Sequence, residues 1–266
     1  MKKSLPLLSL LSLGLIFGGP VDSINKEALA ASHGKNVNWN LSTWGKRRAF
    51  TEGIEAVSKY VADKSGGHFT IKINYGGTLS KPRENLDGIS LGAFEAATFC
   101  ASYHADKNKA VTVLELPFLP ITNGDVQKAA DLAVYSHPAT IKEMKKWNAK
   151  LLMSAALPQY EFMGRGKEPR TIADFKGMRV RALGGIGKAM KVIGAVPTTV
   201  TAPETYRAIE TGTVDAAAFA FYSHFSYKIN EVSKWRTTNL SPGSVNCPLV
   251  VNIDRNISIR TCPPSR

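Results

Sequence analysis

Residues 172–219 read IADFKGMRVRALGGIGKAMKVIGAVPTTVTAPETYRAIETGTVDAAAF, and the order of their pieces decides the fold. A strand is predicted over 179–182, then a Gly-rich turn and a helix from about Gly187 to Ile193. A second strand is predicted over 196–199, followed by a helix capped near Thr201 and opened by Pro203. Strands that alternate with helices of this length imply a mixed α/β sheet, and such sheets bind ligands beyond their strand ends. Arg181 stands where the first of these strands ends.

The same stretch carries a family pattern. Its pieces are DFKGMRVR at 174–181, GAVPT at 194–198, ETYRAI at 204–209 and GTVDA at 212–216. In that order they resemble the solute-binding proteins of tripartite ATP-independent periplasmic (TRAP) transporters, often labelled dicarboxylate-binding. The resemblance implies a two-lobed periplasmic-binding-protein fold with a mixed sheet in each lobe and a ligand cleft between them. It also implies that the second arginine of the first piece, Arg181, holds the ligand carboxylate.

Outside this stretch the chain fits the same plan. Over 36–42, Val37, Trp39 and Leu41 alternate with asparagines, as a first strand does. Phe50, Ile54, Val57, Tyr60 and Val61 recur at helical spacing and stop at Ser65-Gly66-Gly67. Residues 68–75 alternate again as a half-buried strand. A helix over 82–91, a strand over 92–99, the family-like LPFLP at 116–120, helices near 125–134 and 138–147 and a strand over 150–157 complete the expected first lobe. Glu95 reads as a helix-to-strand corner rather than a ligand contact. The second lobe is expected over 159–241, and the strand in 246–252 returns the chain to the first lobe, which is drawn as 31–158 and 242–254.

The candidate ligand contacts follow from that plan. Trp44 stands at the end of the first strand, Tyr103 just past the strand over 92–99, and Tyr160 at the crossing between lobes. Arg165 is the candidate for the second arginine that some family members use. After Asp215 the chain continues AAAFAFYS, and Phe219 and Tyr222 are the candidates there, while Phe221 and Phe225 read as core. Sialic-acid binders of the family carry an amide at the position of Phe219, and 2-oxo-acid binders a nearby carboxylate that helps hold a cation. Neither occurs between Ala216 and Ser223, which points to a carboxylate ligand with an apolar or aromatic body and no metal bridge.

Composition is that of an ordinary globular chain: 266 residues, 44% hydrophobic and 21% charged. Lys2 and Lys3 precede an apolar run over 5–17, and Ala28-Leu29-Ala30 suits a cleavage site, so residues 1–30 read as a secretory signal peptide and the periplasm as the destination. Cleavage there removes three lysines and two acids, so the net charge of +13 falls only to +12. The basic residues are scattered and form no nucleic-acid motif, so the excess reads as a field that favours anions rather than nucleic acid. Cys100, Cys247 and Cys262 are expected as buried free thiols, with a Cys100–Cys247 bridge as the alternative, and none has metal-ligand spacing.

An enzyme would need a nucleophile with its base, an acid pair or a metal cluster. His68, His104, His137 and His224 stand apart from any such pattern, and neither G-x-G, at 164–166 or at 185–187, has a nucleotide-binding continuation. No enzyme activity and no cofactor are therefore expected. The partners implied by the resemblance are a small organic acid and the membrane permease subunits, with a ligand-presenting sensor of the same fold as the alternative. Residues 255–266 match nothing expected of the family, which reads as an atypical tail on a C-terminally truncated fold.

Overall fold

The computed structural model describes residues 36–255 apart from Thr122 and Ala156; the expected signal peptide, Cys262 and the rest of the tail lie outside the described residues. The chain begins with β1 (Val37–Ser42), α1 (Glu52–Lys64), β2 (Phe69–Asn74), α2 (Asn85–Ser90) and β3 (Ala96–Thr98). It continues with α3 (Gly124–Ser136), α4 (Pro138–Lys145) and β4 (Ala149–Met153). It then forms β5 (Tyr160–Gly164), β6 (Arg179–Arg181), α5 (Gly184–Val192), β7 (Val196–Thr198), α6 (Thr205–Glu210), β8 (Ala216–Ala220), α7 (Phe221–Ser226) and β9 (Trp235–Arg236), and ends with β10 (Leu249–Asn252).

These strands build two five-stranded mixed sheets, β2-β1-β3-β10-β4 and β7-β6-β8-β5-β9. Each has the same plan. Three strands run parallel, and the fourth, antiparallel to both its neighbours, arrives directly from the other lobe: β5 after the first lobe is built, β10 after the second. Among the described residues, two chain crossings join the lobes, in keeping with the two-lobed α/β expectation.

Local chemistry explains most element boundaries. The Asn123 side chain accepts from the backbone N–H groups of Asp125 and Val126 and so starts α3, and Pro138 occupies the first turn of α4. Thr201 and Glu204 form a capping box that leads into α6. The period of two splits the first sheet's core: Ala96 and Val251 pack with Trp39, Leu41 and Ile54 on one face, while Ala97 and Val250 pack with Leu86, Ile89 and Phe99 on the other. All five residues of β8 are buried, as befits a central strand covered on both faces.

Three expectations change. The helix expected from Gly187 begins at Gly184: Gly184 turns the chain at φ +49°, and Gly185 is there for close packing, since a Cβ on it would stand 1.9 Å from the Glu115 carbonyl oxygen. Phe221 and Phe225 are not core but 47% and 50% exposed. They stack edge-on at 5.2 Å on the outer face of α7, which turns Ser223 and His224 inward. Cys100 and Cys247 are not free thiols but a disulfide, which closes a loop of sequence separation 147.

Candidate functional site

Arg181 is the last residue of β6 and is 1% exposed. Its preceding partner in charge, Arg179, is spent at the surface on Asp215, with Nη2 2.6 Å from Oδ1 and Nε 3.0 Å from Oδ2. Arg181 has no carboxylate partner among the described residues. Its Nε donates to the Val200 carbonyl at 3.0 Å, Nη1 to the Ala218 carbonyl at 2.6 Å and Nη2 to the Tyr103 hydroxyl at 3.4 Å. Its Cζ lies 4.0 Å from the centre of the Phe219 ring. A buried guanidinium held open by neutral acceptors is costly to desolvate and gains from an anion placed against it.

The walls around it are aromatic and come from both lobes. Trp44 follows β1 and meets Tyr103 edge-on at 5.8 Å and Phe50 at 5.6 Å. From the second lobe, Phe219 stacks on Tyr227 at 5.7 Å and tilts against Tyr160 at 6.4 Å. The Tyr103 hydroxyl, a first-lobe group, also accepts from the Ala202 N–H at 2.9 Å, and Arg83 of the first lobe donates to the Thr199 carbonyl at 2.7 Å. These contacts draw the lobes together over a cavity of about 30 Å³. Small-molecule sites run to roughly 300 Å³ and more, so the cleft is closed in this structure.

Burial shapes the protonation of the walls. It pushes the Tyr160 hydroxyl well above its ordinary pKa, against the pull of the Arg181 charge, and raises Tyr227 to about 12. Both stay neutral donors at neutral pH. His224, which touches Phe219 edge-on at 5.6 Å, is pushed down to about 4 by burial and bonds the Glu161 carbonyl, so it is a neutral structural group.

Of the residues expected in the site, Arg181, Phe219, Trp44, Tyr103 and Tyr160 line this one cavity. Arg165 does not: its Nη1 donates to the carbonyls of Ile209 and Glu210, where it caps the end of α6. Tyr222 does not either, because the inward face of α7 presents Ser223 and, one turn on, Tyr227. Burial raises the Tyr222 hydroxyl to about 12 outside the cavity. The structure adds Arg48, Phe50, Ser223, Tyr227 and the Cys100–Cys247 bridge to the lining. The four-residue spacing of Ser223 and Tyr227 is the signal in the sequence that could have found that pair. Glu95 accepts from the Asn40 N–H at 2.8 Å, in keeping with a corner.

Residues 42–252, which include both sheets' cleft-facing ends, match the family of bacterial extracellular solute-binding proteins, family 7. The chain belongs to this family. Its relatives include a monocarboxylate 2-oxoacid-binding periplasmic protein of Nostoc sp., 28% identical over 185 residues that cover 68% of this chain and 50% of the relative. A C4-dicarboxylate-binding periplasmic protein of Rhodobacter capsulatus is 26% identical over 211 residues, covering 74% of this chain and 58% of the relative. The family 7 chain thus spans about half the length of these relatives. Among solved structures, a marine metagenome TRAP solute-binding protein specific for aromatic acid ligands superposes with a TM-score of 0.75 at 21% identity, over 85% of this chain and 73% of that one. The resemblance drawn from residues 172–219 and the two-lobed α/β fold are both borne out.

Proposed function

We propose that the protein is the extracytoplasmic binding component of a TRAP transporter, exported to the periplasm through an N-terminal signal peptide, residues 1–30, that is then cleaved. It captures a small organic acid between its lobes and delivers it to the membrane permease. Arg181 grips the carboxylate, and Trp44, Tyr103, Tyr160 and Phe219 enclose the rest of the ligand. The observation that carries this reading is Arg181 itself, a buried guanidinium with no acid partner among the described residues, in a cleft walled by aromatic rings. That setting suits a carboxylate on an apolar or aromatic body, and the solved relative specific for aromatic acids lends it weight.

The test is calorimetry of the purified protein against organic acids, preceded by a thermal-shift screen in which a ligand of the folded state raises the melting temperature. Arg181→Lys loses the planar fork, and the affinity for the acid is expected to fall by at least ~2 kcal/mol, about thirtyfold in Kd. Unchanged affinity in a folded variant removes Arg181 from the site.

A further inference from the structure

A second guanidinium in the cleft has no acid partner among the described residues. Arg48 lies in the segment between β1 and α1, is half-buried, and lines the same cavity as Arg181. Its Cζ is 4.7 Å from the Phe50 ring centre and 5.4 Å from that of Tyr227. Nη1 donates to the carbonyls of Trp44 and Lys46, each at 2.8 Å, while Nε and Nη2 meet no acceptor among the described residues. The adjacent Arg47 pairs with Glu52 and Glu55 at the surface, and Arg48 forms no ion pair among the described residues.

The group beside it is also a donor without an acceptor. The Tyr227 hydroxyl is buried, neighbours the Trp44 indole, and finds no acceptor for its own proton among the described residues. Tyr227 and Arg48 come together at Gly45, whose φ is +70°. A Cβ there would stand 2.7 Å from the Tyr227 hydroxyl and 3.0 Å from Arg48 Nη1, so only glycine lets the loop bring these two groups together. Through the Phe219–Tyr227 stack the pair connects to Arg181, at the other end of the chain of rings. Guanidinium groups without an acid partner among the described residues stand at both ends of one aromatic cleft and are suited by a ligand with anionic acceptors at both ends, whereas a hydrocarbon end would leave Arg48 Nε and Nη2 and the Tyr227 hydroxyl without an acceptor.

We propose that Arg48 and Tyr227 form a second anion-recognising subsite, so that the preferred ligand is an aromatic acid with a second carboxylate remote from the one on Arg181. This rests on the carboxylate reading of Arg181. Arg48 lies on the first lobe and Tyr227 on the second, so the second carboxylate also ties the lobes together.

The probes are benzoate and isophthalate, titrated by calorimetry into the wild-type protein, Arg48→Gln and Tyr227→Phe, each with a melting curve. Wild type is expected to bind isophthalate at least about tenfold more tightly than benzoate. In Arg48→Gln the preference for isophthalate over benzoate shrinks to less than about threefold, and Tyr227→Phe, which removes only the hydroxyl, weakens isophthalate more than it weakens benzoate. Equal affinity of wild type for the two acids overturns the subsite and leaves Arg181 standing, and this arm needs no variant to fold. Equal weakening of both acids in Arg48→Gln also overturns it, by assigning Arg48 to lobe closure. If wild type binds neither acid, the aromatic diacid proposal is overturned, and the screen of other organic acids with Arg181→Lys decides the Arg181 reading separately.

Discussion

Replacing Glu115 by glutamine should remove a pH dependence of stability that can be worked out from the surroundings of the acid. Glu115 ends the short helical turn Val111–Glu115 of the first lobe and is fully buried against Gly184 and Gly185, at the start of α5 in the second. Its Oε2 accepts from the Ser102 hydroxyl and its Oε1 from the Asn246 N–H at 3.0 Å. Desolvation nevertheless dominates: it lifts the pKa from 4.5 to about 7, with Ser102, Asn246 and Lys188 pulling the other way.

Between pH 4.5 and 7 the folded protein therefore holds a proton that the unfolded chain has released, and stability falls as pH rises through that window. A displacement of this size corresponds to about 3 kcal/mol, fully present below pH 4.5 and gone above 7. His104 and His224 act in the opposite sense. Burial pushes both from 6.5 to about 4, so the unfolded chain protonates first and stability is lost as pH falls through that range. The raised pKa of Asp131, which accepts from the Asn246 side chain, adds to the Glu115 effect. A whole-protein profile mixes these contributions, but the difference between Glu115→Gln and wild type largely cancels those the two proteins share.

Glutamine mimics the protonated acid, so the variant is expected to match wild type near pH 5 and to exceed it by up to about 3 kcal/mol at pH 8. Urea unfolding at the two pH values measures this. Parallel profiles for the two proteins would refute a buried, proton-holding Glu115.

Two further predictions follow from contacts between and within the lobes. Gly185→Ala puts a methyl group into the Glu115 carbonyl and Pro117, so it should cost about 1–3 kcal/mol of stability and keep the lobes from closing fully. Small-angle scattering of the acid-saturated variant should then give a larger radius of gyration than acid-saturated wild type, and equal radii would show that this contact does not set closure. Cys100→Ser should lower stability by about 2–5 kcal/mol, as loss of a bridge across a long loop does, and a reductant should lower the melting temperature of wild type but not of the variant. Wild type that melts at one temperature with and without reductant would count against the bridge.

Elements were legible where burial imposed a period. The alternation Trp39, Leu41 against Asn38, Asn40 survives as β1 because one side of the edge-proximal sheet packs on α1 while the other meets polar neighbours. The strand expected over 92–99 shrinks to Ala96–Thr98 because Gly92, at φ +67°, starts a corner that composition alone does not reveal. α7 departs from the expected core packing for a related reason. Phe221 and Phe225 are apolar at helical spacing, but β8 delivers the helix with its opposite side inward, and no local pattern records that rotation.

The arginines show what decides whether a binding group can be read from sequence. Arg181 sits between Val180 and the pair Ala182, Leu183, all buried, so its chain neighbours announce that a charge is being carried into the interior. Such a charge needs a reason, and an anionic ligand supplies one. Arg165 lies between Gly164 and Gly166 in a turn, where a charge is free to serve a nearby helix end, and that is where the fold uses it. Arg48 follows Lys46 and Arg47, so locally it is one more surface cation. It becomes unusual only when the second lobe brings Tyr227 against it and when Glu52 and Glu55 are seen to be spent on Arg47. Isolation from acids is a property of three-dimensional neighbours, and a sequence of net charge +13 offers many arginines for each one that is isolated in this way. The test of Arg48 is therefore also a test of whether unpaired donors in a folded cleft, rather than motif positions, are the better guide to what it binds.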